Sequence, residues 1–255
     1  MRDILERLVK GEITLEEAEG LLRGSSISEI TELAKLDVNR EVRKGFPEII
    51  LAEGKHPEDV AKISRRMLDS KGRVMISRIN EEHLKALRDS LGSDIRLELN
   101  EKARMVTLKT KDFEFSRNKG KIGVITAGTS DIPIAEEVKV VAEEMGCTVY
   151  SAYDAGVAGL HRLFPPLKEM LERDVDVLVV VAGREGALPT VVSGLVDIPI
   201  IAVPTSIGYG HGGSGVSALM SMLQACSLGI AVVNIDAGVA AGTISALIAR
   251  RSHDL

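Results

Sequence analysis

The sequence contains no tryptophan, three tyrosines, four phenylalanines and only two cysteines in 255 residues. Each shortage excludes something. Modules that read nucleic acid by base stacking need rows of exposed aromatic side chains, and an aromatic content of 3% does not supply them. Two cysteines cannot build a disulfide framework for a chain this long, and they fit a reducing cytoplasm. No apolar run approaches the roughly 20 residues of a transmembrane helix. The longest runs, such as Val175–Ala182, have the length of a buried strand. The opening MRDILERLVKGE is charged and amphipathic and lacks the apolar centre of a signal peptide, so a cytoplasmic protein with no membrane partner is expected. Positive charge is also not in excess. Lys and Arg total 32 against 37 Asp and Glu, a net charge of −5, which gives no general attraction to nucleic acid or anionic lipid. Any anion site must therefore be local.

What the chain does have is glycine, 24 residues unevenly distributed. Up to about Lys119 the sequence is highly charged and rich in helix formers. Beyond it, short Val/Ile runs alternate with glycine-bearing turns. The polar stretch Lys111–Lys121 marks the change, and two domains are expected, 1–118 and 119–255. In the first, Thr14 and Glu17 have the spacing of a capping box opening a helix over Ile13–Leu22. His56-Pro57-Glu58-Asp59 leads into a helix over Val60–Leu68. Arg73–Ile79 reads as a strand and Asn80–Leu91 as a helix, while Ile95–Leu99 and Arg104–Leu108 read as a hairpin. This predicts a small α+β unit preceded by helices. Between them lies LDVNREVRKGFPEIILAEGK, dense in Arg40, Arg43, Glu48, Glu53 and Lys55; composition alone reads it as a solvated charged linker.

The second domain alternates strand and helix. Ile122–Thr126, Thr148–Ala152, Val175–Val181, Ile198–Val203 and Ile230–Ile235 are β-rich apolar runs, four amphipathic stretches fall between them, and a fifth follows at Val239–Arg250. This pattern predicts an α/β fold with a parallel sheet covered by helices on both faces. Ligands of such sheets bind beyond the carboxyl ends of the strands, near the point where strand order reverses.

The segments after the five runs are TAGTSD, YDAGVAGLHR, AGREGALP, PTSIGYGHGGSG and NIDAG. In the first, Gly128 lets backbone approach a ligand, and the N–H groups with Thr129 and Ser130 can hold a phosphate; the same Ser130 or Asp131 can simply cap the following helix. His161 lies just beyond Asp154 in a predicted first helical turn, where a lone histidine is usually a surface residue. Gly183, Arg184 and Glu185 interrupt an apolar passage, and a charged pair directly after a buried strand is a candidate for a site as much as for an ion pair. Gly208–Gly215 has five glycines in eight residues and includes His211, Gly212, Gly213 and Ser214. It matches neither a P-loop nor a dinucleotide fingerprint, and suits a mobile lid or an anion-binding turn. Cys226, placed late in a helix predicted over Val216–Leu228, reads as a small buried hydrophobe, and a helix C-terminus does not favour its thiolate.

Taken together, TAGTSD, DAGVAGLHRL, AGREGALPTVVSGL, PTSIGYG and LQACSLGIAVVNIDAGVAAG resemble the LarB family, the pyridinium-3,5-biscarboxylic acid mononucleotide synthases of nickel-pincer cofactor assembly. The resemblance continues through DVNREVRKGFPEIILAEGK and so covers most of the chain. The second domain is in turn similar to carboxyaminoimidazole ribonucleotide mutase, PurE. That similarity implies a flavodoxin-like three-layer α/β/α domain with a five-stranded parallel sheet, whose first strand-end loop carries GSxSD where this chain has GTSD.

The LarB resemblance implies an enzyme that adds CO2 to pyridinium C5 of nicotinic acid adenine dinucleotide and cleaves its phosphoanhydride to release AMP. The family's nucleophilic cysteine matches Cys226. A pyridinium ring is electron-poor and cannot attack CO2; thiolate addition at C4 makes C5 an enamine carbon, which can. Glu185 or Asp131 is the expected proton acceptor. Thr129 and Ser130 would hold phosphate or ribose, with Gly128, Gly183 and Arg184 beside them, and His211, Gly212, Gly213 and Ser214 would wrap another part of the dinucleotide. Asp154, His161 and Asp236 would orient substrate or hold Mg2+, the expected ion for the hydrolytic step. No organic cofactor is expected, and the resemblance implies a homo-oligomer, an octamer as in PurE-type proteins. The Ala/Gly-rich last helix suits such close packing. Two other readings stay open: a purine-pathway mutase, although its SAHRTP loop is replaced by SAYDAG, and a non-catalytic nucleotide-binding module.

Overall fold

The computed structural model describes residues 2–18, 28–30, 34–36, 45–115 and 120–253, so Arg40, Arg43 and the expected domain junction at 118/119 lie outside the described residues. The chain divides into two compact units, one of Met1–Leu99 with Val106–Phe113 and one of Asn100–Met105 with Glu114–Leu255.

In chain order the first half contains α1 (Arg2–Val9), β1 (Ser28–Ile30), β2 (Ala34–Leu36), β3 (Ile49–Leu51), α2 (Pro57–Lys71), β4 (Arg73–Ser77), α3 (Glu81–Ser90), β5 (Ile95–Asn100) and β6 (Met105–Thr110). Local chemistry sets several of these boundaries. Thr14 Oγ1 accepts the Glu17 N–H while Glu17 Oε2 accepts the Thr14 N–H, the reciprocal pair the sequence predicts. Helix α2 begins with Pro57 in its first turn and ends where Gly72, in the left-handed region, donates its N–H to Leu68 O. Strands pair in the order β3-β4-β6-β5. The charged segment read as a linker is therefore part of the sheet at its end: Ile49–Leu51 pairs parallel to Met75–Ser77. Composition hides this, because three apolar residues flanked by charges look like a linker until a partner strand satisfies their backbone groups.

The second half contains β7 (Lys121–Thr126), α4 (Ile132–Glu144), β8 (Thr148–Ala152), α5 (Phe164–Glu172), β9 (Val177–Ala182), α6 (Leu188–Ser193), β10 (Ile200–Pro204), α7 (Val216–Leu223), β11 (Ile230–Val232) and α8 (Gly238–His253). The strands form a five-stranded, all-parallel sheet in the order β11-β10-β9-β7-β8, the flavodoxin-like arrangement. All six residues of β9 are buried, as a central strand covered on both faces requires. On one face Leu178, Val180 and Ala182 meet Leu167 and Met170 of α5, Leu188 and Val192 of α6, and Met222 of α7. Each such side chain contributes on the order of 2 kcal/mol by leaving water. On the other face α4 and α8 lie against each other. Their approach needs glycine: a Cβ at Gly238 would stand 2.6 Å from Ile134 O, and one at Gly242 would stand 2.7 Å from Val138 O. The small-residue face of the last helix, expected to serve contacts between copies, thus lies against α4 of its own chain.

Two predicted boundaries are corrected. The helix expected over Val216–Leu228 ends at Leu223, and the strand expected over Ile230–Ile235 ends at Val232. In both cases the apolar run outlasts the regular backbone. Gln224 closes the helix by donating to Met220 O and Ser221 O, and Asn234 turns its side-chain oxygen onto the Ile235 N–H.

Among the described residues no helix is long and apolar enough to cross a membrane.

Candidate functional site

Strand order reverses between β7 and β9, and there the second unit opens a cavity of about 470 Å3. Its wall is drawn from the segments after four strands, including Gly128, Asp131, Arg162, Arg184, Glu185 and Ile207.

The loops are tied to one another through backbone. Ala127 N–H donates to Val181 O, Ala155 N–H to Thr126 O, Arg184 N–H to Ile207 O and Asp236 N–H to Pro204 O, all at 2.9 to 3.0 Å. Gly183 sits where two loops touch: a Cβ there would lie 2.3 Å from Ile207 O and 2.6 Å from Thr205 Oγ1. Asp154, Arg184, Ser214 and Asp236, one residue in each of the loops after β8, β9, β10 and β11, adopt the left-handed backbone region. Each costs about 1–3 kcal/mol where the residue is not glycine. Four of the seven non-glycine residues in this region among those described thus lie at this rim.

Asp131 is the buried carboxyl of the wall, 4% exposed. It closes the short turn Thr129–Asp131 by accepting the Gly128 N–H at Oδ2, 2.9 Å away, and its Oδ1 accepts the hydroxyl of Thr205 at 2.7 Å. Burial pushes its pKa above the ordinary carboxylate range, and the charge of Asp236 pushes the same way; the bonds from Thr205, Gly128 and Gly183 oppose the shift without cancelling it. The result is a carboxylate of raised basicity facing a cavity. Its alternative as proton acceptor, Glu185, also lines the cavity but is exposed.

The remaining predicted residues divide. Gly128, Ser130, Gly183 and Arg184 line the cavity; Thr129 is exposed beside it. His161 is exposed and does not line the cavity, whereas its neighbour Arg162 does and donates Nη1 to Asp154. Both sit in the turn Val157–Arg162, which is kinked at Gly159 and from which Val157, Ala158 and Arg162 line the cavity. Asp154 and Asp236 act as braces here: Asp154 receives Arg162, and Asp236 Oδ1 accepts the Ser206 N–H at 2.8 Å. His211, Gly212, Gly213 and Ser214 form part of the turn Gly210–Gly215 and lie outside the cavity wall, to which this loop contributes Ile207.

Cys226 does not line the cavity either. It is exposed, three residues past the end of α7 in the bend that leads into β11, and not the buried helical residue its position suggested. The bend is held beside α6: Ser227 Oγ donates to Thr190 O at 3.3 Å, and Ser193 Oγ donates to Leu228 O at 2.8 Å. Cys147 is buried.

Sequence reasoning passed over Thr205, Arg162 and Ile207 as site residues. A threonine directly after a buried strand and an arginine next to a candidate histidine carry no distinguishing local signal; contact with Asp131 and with the cavity identifies them.

Among the described residues no group of three or more His, Cys, Asp and Glu side chains is arranged to hold a metal ion. Asp131, Asp154 and Asp236 accept hydrogen bonds from Thr205, Arg162 and Ser206.

A flavodoxin-like sheet with a buried carboxyl of raised basicity and two arginines lining the cavity at its switch point defines the α/β domain. Residues 121–254 match the AIR carboxylase family, and residues 28–111 match the LarB/PurE-like N-terminal domain. The chain is 43% identical over 257 residues to an uncharacterized protein of Methanocaldococcus jannaschii, covering 99% of this chain and 98% of that one. It is 27% identical over 133 residues to the N5-carboxyaminoimidazole ribonucleotide mutase of Thermotoga maritima, covering 50% of this chain and 74% of the mutase. The mutase of Pyrococcus abyssi is 31% identical over 121 residues, 46% of this chain and 66% of that protein. The chain belongs to the LarB-type family, in which an AIR carboxylase domain of carboxylase/mutase type follows a LarB/PurE-like N-terminal domain.

Proposed function

We propose that the protein carboxylates C5 of the pyridinium ring of nicotinic acid adenine dinucleotide and hydrolyses its phosphoanhydride, giving pyridinium-3,5-biscarboxylic acid mononucleotide and AMP. The observation that carries this reading is the cavity itself, in which a buried carboxyl of raised basicity stands with Arg162 and Arg184, in a chain with both LarB-type domains.

The chemistry assigns roles. The Cys226 thiolate adds to ring C4, converting the pyridinium to a neutral dihydropyridine. The enamine carbon C5 then forms a bond to CO2. Asp131, ionised, removes the proton from C5, the C4–S bond breaks, and the thiolate leaves as the ring regains aromaticity. Arg162 and Arg184 bear on the diphosphate, whose charge they offset. The Mg2+ that the family resemblance implies would enter with the diphosphate and offset its charge.

Because Cys226 does not line the cavity of its own protomer, the reading includes a homo-oligomer in which a second copy presents it. Its surroundings support this: Met220, Leu223 and Leu228 beside it are 51%, 60% and 91% exposed, an apolar surface suited to burial.

The test is incubation with nicotinic acid adenine dinucleotide, bicarbonate and Mg2+, following AMP release and a product carrying one more carboxylate. Folded protein that yields neither overturns the proposal, and turnover of an aminoimidazole ribonucleotide in its place assigns the protein to the mutases.

A further inference from the structure

A dinucleotide has two ends, and the cavity accounts for one. The loop after β10 contributes Ile207 to the wall. Two residues further on stands Tyr209, 75% exposed between Gly208 and Gly210.

The three tyrosines of the chain are used differently. Tyr150 is half-buried with the Arg173 guanidinium 4.7 Å from its ring centre, and Tyr153 donates its hydroxyl to Glu136. Tyr209, like Tyr150, has a guanidinium against its ring, but it is exposed and its arginine is one that lines the cavity. The Arg184 guanidinium lies 4.6 Å from its centroid. Arg184 also lines the cavity, and its backbone is held in the left-handed region at φ 50° with its N–H bonded to Ile207 O. One side chain thus joins the cavity wall to an exposed aromatic ring. A guanidinium stacked on a tyrosine is a flat, cationic, apolar surface, the chemistry that receives a nucleobase attached to a phosphate.

We propose that Tyr209 and Arg184 form a stacking platform for the purine base of the substrate's AMP half. This rests on the dinucleotide reading of the cavity and adds the residues that hold the second nucleotide. The platform explains an exposed ring in a chain with few aromatics: one base needs one plane.

The experiment compares AMP with ribose 5-phosphate, which has the phosphate and sugar but no base, by calorimetry on the full chain. Tyrosine emission, unmasked by tryptophan, is followed in parallel. The platform requires AMP to bind about tenfold more tightly than ribose 5-phosphate. Tyr209→Ala should bring the two to equal affinity, and Tyr209→Phe should retain the difference. Equal affinities in the native protein, or a preference that survives Tyr209→Ala, overturn the proposal. The measurement needs no turnover, so a Tyr209-dependent preference in a protein inactive on the dinucleotide upholds the platform while removing the carboxylase reading.

Discussion

Thr205 donates its hydroxyl to Asp131 over 2.7 Å, joining two buried side chains 74 positions apart in the sequence. The bond favours the ionised carboxyl while burial disfavours it, so Thr205 sets how basic Asp131 becomes.

Thr205→Val removes the donor that lowers the Asp131 pKa, so the pKa rises further. A base works when deprotonated, and kcat/KM must therefore climb with pH through a limb above the ordinary carboxylate range. In Thr205→Val that limb moves to higher pH, and in Asp131→Asn activity is lost at every pH. A pH profile of kcat/KM checks both; an unmoved limb in Thr205→Val would show that Asp131 is not the titrating group.

Gly183→Ala places a methyl group against backbone and the Thr205 hydroxyl, at 2.3 and 2.6 Å. The neighbouring loops must part, at about 1–3 kcal/mol of stability. Urea unfolding should register that loss, and phosphate-ligand affinity should fall with it, because Arg184 N–H loses its hold on Ile207 O.

Glu136 gives a pH-dependent stability of the opposite sign to that of Asp131. Burial acts to raise its pKa, but hydrogen bonds from Tyr153 and Asn100, each 2.6 Å long, outweigh burial and lower it. A lowered carboxylate pKa stabilises the fold above the ordinary glutamate value, and that contribution disappears as pH falls through the folded value. The Tyr153 phenol, its own pKa pushed up to about 12 by burial and by Glu136, remains a donor throughout. Tyr153→Phe should therefore lose about 1–2 kcal/mol at neutral pH and progressively less in acid. A loss independent of pH, measured by denaturant titration, would contradict this account.

Delivery of Cys226 by a second copy predicts complementation. Cys226→Ser and Asp131→Asn should each be inactive alone, while mixed oligomers recover roughly a quarter of native activity, since a quarter of randomly formed sites join two intact residues. Mixtures that stay inactive would place cysteine and carboxyl in one protomer's site.

Much of the architecture was readable before any contact was known. Thr148–Ala152 is a strand over the residues its apolar run predicts, and the Thr14/Glu17 cap forms as spaced. Local signals were sufficient there because each depends on residues within one or two turns. They failed where a partner was remote. Ile49–Leu51 is a strand only because β4 lies beside it, and Arg162 lines the cavity where its neighbour His161 does not, a difference set by what the folded loops enclose.

The sequence by itself determined the alternation of strands and helices, the parallel sheet that follows from it, and the concentration of glycine and polar residues after the strands, because hydrophobic periodicity and turn chemistry are properties of short segments. Only the tertiary structure decided which of those residues share a wall, that Asp131 is buried against Thr205 and so made basic, and that Cys226 stands outside the cavity of its own chain. Desolvation and contact depend on what distant segments bring, and no local pattern records that.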